Sequence, residues 1–117
     1  MSGGTERIDA REIRARLDAI YEHFRQSFAE SLDTIDEATH HLETGALDDK
    51  ERSAAERAAH RIVGAAETVG FPEATAPARR LENAFGLGEV RPEKVARLRT
   101  DAAALQEILL GDERRCS

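Results

Sequence analysis

Of the four histidines in this 117-residue chain, His60 sits where an imidazole can do chemistry. It lies in the stretch Ala54 to Phe71, AAERAAHRIVGAAETVGF. Ala55, Ala59, Ile62, Ala66 and Val69 recur there at alternating spacings of four and three. That is the apolar stripe of a helix facing a core. At about 100° per residue, His60 points roughly 140° away from the centre of the stripe, on the solvent side. An exposed imidazole has a pKa of about 6.5, is largely neutral at pH 7 and can attack through one ring nitrogen. Gly64 follows one turn later. A glycine inside a helix costs roughly 1 kcal/mol against alanine. Its position beside an exposed histidine implies a need for close approach, so that a partner's backbone or active site can come down onto the ring.

Other constellations are weaker. Glu37 and His40 form a Glu-x-x-His pair, half of a di-iron carboxylate site. Such a site needs a second pair and two more inward glutamates, and the sequence has no second pair. The plainer reading is that His40 and His41 interact with the negative end of a helix dipole. His23 reads as a solvated helix residue. The sequence contains no Ser-His-Asp arrangement, no phosphate-cradling glycine loop and no paired metal-ligand motif.

The elements that would position His60 are all helical. Residues 1–8 are small and polar, and are expected to be disordered. Asp9 with Glu12 reads as a capping box. Ile13, Leu17, Ile20, Tyr21, Phe24, Phe28, Leu32, Ile35 and Leu42 then form a sustained stripe that Gly45 ends. Unbroken, this helix would reach about 50 Å, and the later helices read as half that length. Either it kinks near residue 20, or its first turns project and leave an apolar stripe wanting a partner, such as a second copy of the chain. Asp48 with Glu51 is a second capping box and opens the helix of His60. Gly70 is its expected stop, with Phe71 folding back and Pro72 preventing continuation. Thr75 is expected to cap a third helix, with Pro77 in its first turn, Ala78, Leu81 and Phe85 facing the core, and Gly86 and Gly88 at its end. Pro92 at N1 opens a fourth, with Val95, Leu98, Ala102, Leu105, Ile108 and Leu109 buried. Residues 111–117 are expected to fray. The implied fold is all-α: residues 9–110 form an antiparallel up-down-up-down four-helix bundle with an N-terminal helical extension.

Composition narrows the partners. A net charge of −6 and the absence of tryptophan argue against a nucleic-acid surface. A single cysteine, Cys116, permits no internal disulfide and fits a reducing cytoplasm. No apolar run approaches membrane-spanning length, and the N-terminus lacks a signal-peptide core.

His60, Ile62, Gly64, Ala65, Ala66, Val69 and Gly70 resemble the phosphorylation segment of histidine-containing phosphotransfer (HPt) domains. Phe71-Pro72-Glu73 and Ala78-Arg79-Arg80-Leu81-Glu82 are similar to that family's next helix, and the resemblance covers roughly residues 20 to 110. It implies a four-helix bundle in a two-component phosphorelay, in which His60 carries a phosphoryl group to or from the aspartate of a response-regulator receiver domain. The partners it implies are such a receiver or a hybrid histidine kinase. The family's bundle is a carrier rather than an enzyme and holds no cofactor of its own; Mg²⁺ comes with the receiver domain. One position departs from the pattern. The family's usual lysine, which offers positive charge to the phosphoryl group, is Val63 here. Arg57, one turn before His60, or Arg61, directly after it, can supply charge-assisted hydrogen bonds instead. Glu56 and Glu67 lie on the other flank and oppose a dianion there. The alternative reading is a degenerate bundle that keeps the shape and serves as a non-catalytic interaction or dimerisation module.

Overall fold

The structure, a computed structural model, describes residues 9–87 and 90–116, with side chains described as far as Gly111. The tail over residues 1–8, and Gly88 as a helix stop, lie outside the described residues. Four α-helices follow one another: α1 (Ala10–Thr44), α2 (Asp49–Thr68), α3 (Thr75–Gly86) and α4 (Val95–Cys116). Short 3-10 turns, Pro72–Ala74 and Pro92–Lys94, lead into α3 and α4. No strand occurs among the described residues. Each helix packs on two others, α1 on α2 and α4, and α3 on α2 and α4, around one core.

The core is made of large side chains from three helices set against small ones from the fourth. Phe28, Leu32 and Ile35 of α1, Leu81 and Phe85 of α3, and Leu98, Leu105 and Leu109 of α4 are all buried. The buried face of α2 is Ala55, Ala58, Ala59, Ile62 and Ala66. Four alanines in five positions let the neighbouring helices come close to the α2 backbone.

Helix ends follow local chemistry. Asp48 Oδ1 accepts the Glu51 N–H at 2.7 Å, and Asp9 Oδ1 accepts the Arg11 N–H at 3.1 Å. Neither expected capping box closes reciprocally. Glu51 turns instead to His41 Nδ1 at 2.6 Å, and Glu12 to Arg16 at 3.0 Å, because each carboxylate finds a basic partner there. His41 is thus tied to the start of α2. Gly45 (φ 80°) and Gly70 (φ 92°) take the left-handed conformation that ends α1 and α2. After Gly70, the Phe71 N–H bonds the Ala66 carbonyl at 2.8 Å and the Phe71 ring packs on the core, as expected.

Three boundaries differ from the sequence reading. Thr75 is not a cap: the 3-10 turn from Pro72 runs straight into α3, so Thr75 is itself helical, and its buried hydroxyl has no partner among the described residues. Pro92 opens a 3-10 turn, and α4 proper starts at Val95. The chain does not leave helix at Gly111; α4 continues to Cys116. Glycine lowers helix propensity without ending a helix when its backbone stays helical and buried, as at Gly111.

α1 is one unbroken helix of 35 residues, with no interruption near residue 20. Its buried residues all lie between Phe28 and Leu42, while Ile13, Leu17 and Ile20 are 42, 60 and 52 % exposed.

The alanine face sets a measurable limit on packing. Ala59→Leu is expected to lower stability by roughly 1–3 kcal/mol through overpacking. Asp48→Ala should lose about 1 kcal/mol with its cap. Both are read as shifts of the urea midpoint at unchanged slope.

Candidate functional site

The site begins with the orientation of α2. Ala59 and Ile62 face inward, which leaves His60 on the outer surface with a side chain 72 % exposed. On α3, Leu81 is fully buried, and Glu82 follows it on the edge next to α2. The alanine face of α2 brings that edge near, and Glu82 Oε2 lies 2.7 Å from His60 Nδ1. The Glu82 side chain is only 23 % exposed, so the carboxylate is held by the packing of two helices and the ring by the carboxylate.

This contact assigns the ring nitrogens. An ionised carboxylate only accepts, so Nδ1 must donate and carry the proton. The neutral ring then presents its lone pair at Nε2. Attack through Nε2 puts positive charge on the imidazole, and the Glu82 carboxylate stabilises it from the far side. A carboxylate that fixes a histidine tautomer and steadies the imidazolium is a recurrent arrangement in nucleophilic sites.

Gly64 is exposed one turn along α2, and a Cβ built there would meet nothing within 4 Å. No internal contact calls for glycine. Its effect is outward, as a bare patch of backbone beside an exposed ring. The Gly64 carbonyl also accepts the Thr68 hydroxyl at 3.3 Å.

The remaining residues of the expected site divide. Arg57 is not brought to His60: its Nη1 bonds Ser53 Oγ at 3.0 Å, one turn the other way. Arg61 is exposed and makes no hydrogen bond or ion pair among the described residues. Val63 is half-buried and packs against the core, so it offers nothing to the ring. Glu67 is exposed. Glu56 turns toward Arg52, 3.8 Å away, and toward Gly86. Glu82 is the residue that sequence reasoning missed. It was visible as part of the third helix, yet periodicity within one helix does not report which neighbour an edge residue meets.

Among the described residues, no group of three or more His, Cys, Asp or Glu side chains is placed to hold a metal ion. His40 is exposed beside His41, with ring centroids 5.8 Å apart. His23 is exposed and sets its ring edge against Phe24 at 5.9 Å. No helix of the described chain is long and apolar enough to cross a membrane.

His60 is thus an outward histidine whose ring is held by a carboxylate of the next helix, and comparison with protein families tells which kind of bundle presents it. The family model of the Hpt domain matches residues 19–108. The chain belongs to the Hpt domain family. Comparison with curated proteins and with solved structures gave no match. Membership places this Hpt domain in the phosphotransfer chemistry of two-component signalling.

The assigned tautomer can be observed directly. ¹⁵N-detected spectra of the neutral protein should show His60 protonated at Nδ1, and Glu82→Ala should shift the ring toward the Nε2-protonated form. An unchanged tautomer in that variant would separate Glu82 from the orientation of the ring.

Proposed function

We propose that this Hpt domain carries a phosphoryl group on Nε2 of His60, taken from or passed to the aspartate of a response-regulator receiver domain. The observation that carries this reading is the His60–Glu82 contact, which turns a lone pair outward beside the open Gly64 surface. In the forward step the Nε2 lone pair forms the P–N bond as the P–O bond to the aspartate breaks. The carboxylate leaves with the bonding pair, and the Nδ1 proton stays shared with Glu82. Reversal returns the group. Positioning and electrostatics supply most of the stabilisation in such transfers.

The site is an open helical surface rather than a cleft, so its reactant is another protein. A receiver domain, free or within a hybrid histidine kinase, fits, and it brings the Mg²⁺ that neutralises the phosphoryl oxygens. Arg61, next to His60 in sequence and unpaired among the described residues, takes the role that lysine has elsewhere in the family. The same reading takes the bundle as antiparallel, up-down-up-down; the Arg99–Glu43 pair, 2.5 Å between the start of α4 and the end of α1, supports it. It places the domain in the cytoplasm with its partners.

Incubation with phosphorylated receiver domains and with phosphoramidate should produce acid-labile, alkali-stable phosphate on the natural protein and none on His60→Gln. Absence of label from every donor would overturn carriage and leave an interaction module. Val63→Lys is expected to raise the labelling rate. Gly64→Ala should stabilise α2 by up to about 1 kcal/mol and yet slow transfer from a receiver, since the added methyl fits the fold and obstructs only the partner.

A further inference from the structure

The groove between α3 and α4 lies apart from His60. On α3, Glu82 sits on the edge that meets α2, while Arg80, two residues earlier and so about 200° round the helix, sits on the edge that meets α4. There Asp101 of α4 is buried, its side chain 6 % exposed. Its Oδ1 accepts from both Nε and Nη2 of Arg80, at 3.1 and 2.9 Å. Burying a carboxylate to pair it with an arginine is on balance a weak stabiliser. What the pair does is fix a half-exposed guanidinium at one end of the groove, with its other N–H groups unused among the described residues.

From Arg80 the groove runs two turns of α3, about 10 Å, to Leu87. It encloses about 240 Å³. Ala84 and the buried Leu98 line its apolar floor, and Leu87, 72 % exposed, stands at the far end. Lys94 and Arg97 line it from the α4 side. Both are exposed, and neither side chain makes a hydrogen bond or ion pair among the described residues. Three cations (Arg80, Lys94, Arg97) against one carboxylate (Asp101) leave the groove at net +2, in a chain with 23 acidic residues and 17 basic ones.

We propose that this groove receives an acidic amphipathic helix of a partner protein. Unneutralised cations on an otherwise acidic domain attract carboxylates and turn away basic surfaces. The apolar floor and exposed Leu87 also demand an apolar side chain, which a free phosphate or a nucleic-acid backbone does not bring. A helix laid into the groove between two others anchors through residues three, four and seven apart, and two turns are the length this groove accepts. The occupant carries Asp or Glu against Arg80, Lys94 and Arg97, and an aliphatic side chain over Ala84 beside Leu87. His60 lies beyond the opposite edge of α3, so its imidazole stays open when the groove is filled.

The test is selection of a phage-displayed library of short helical peptides on the immobilised full chain. Peptides that bind should carry acidic residues at helical spacing with an apolar residue among them. Their affinity should fall roughly tenfold or more on Arg97→Glu or Lys94→Glu, and also with rising salt. Both side chains are exposed and unpaired, so circular dichroism of these variants should match the natural protein. Amide shifts caused by a bound peptide should fall on α3 and the start of α4 and spare the residues around His60. Enrichment of no peptide overturns the proposal, as does enrichment of peptides that lack acidic residues or that bind Arg97→Glu equally. Capture of phosphatidylglycerol vesicles, or self-association, that is lost on Arg97→Glu while no peptide binds also overturns it, by giving the groove to a lipid surface or to a second copy. Labelling of His60 by phosphoramidate is unchanged by Arg97→Glu, so failure of the groove and failure of phosphotransfer are told apart.

Discussion

The alanine face of α2 is the constraint on which the site depends. Ala55, Ala58, Ala59 and Ala66 contribute little volume, so the other helices fill the core with Phe28, Leu32, Leu81, Phe85 and Leu105. Small side chains bring helices closer together, and here the closeness has a chemical result. Glu82 on α3 reaches His60 on α2 across a single hydrogen bond of 2.7 Å. Larger residues on α2 would move α3 outward and open that distance. The orientation of an exposed ring is therefore set by residues that are themselves wholly buried.

The division of labour within the domain is equally physical. The bundle supplies direction: a proton fixed at Nδ1, a lone pair at Nε2 and bare backbone at Gly64. It gathers little positive charge at the ring, since Arg57 is held by Ser53 and Val63 faces the core. Arg61, next to His60 in sequence, stays exposed.

Much of this was legible in the sequence, for a definite reason. Periodicity reports which face of a helix is buried, so the outward position of His60 and the inward positions of Ala59, Ile62, Leu81 and Phe85 could be read from spacing alone. Gly70 and Gly45 announced their turns because a left-handed residue is most easily a glycine. Relations between helices were not legible. Nothing in the spacing says that Glu82 meets His60, that Glu51 meets His41, or that Arg57 turns to Ser53 rather than toward the ring. These depend on packing and on rotamers. The start of α3 misled for a similar reason: Thr75 has the residue type of a cap, but the turn from Pro72 was already helical when the chain reached it.

Tyr21 marks the place where α1 passes from solvent into the bundle. It is the only tyrosine in a chain without tryptophan, and its ring lies 6.0 Å from that of Phe71, at the end of α2. The guanidinium of Arg25 sits 6.0 Å from the same ring. The molecule's near-ultraviolet absorption and its intrinsic fluorescence therefore arise almost wholly at one junction. Light at those wavelengths sees the seating of the long helix on its bundle, while the alanine-lined interior and the histidine face stay optically silent.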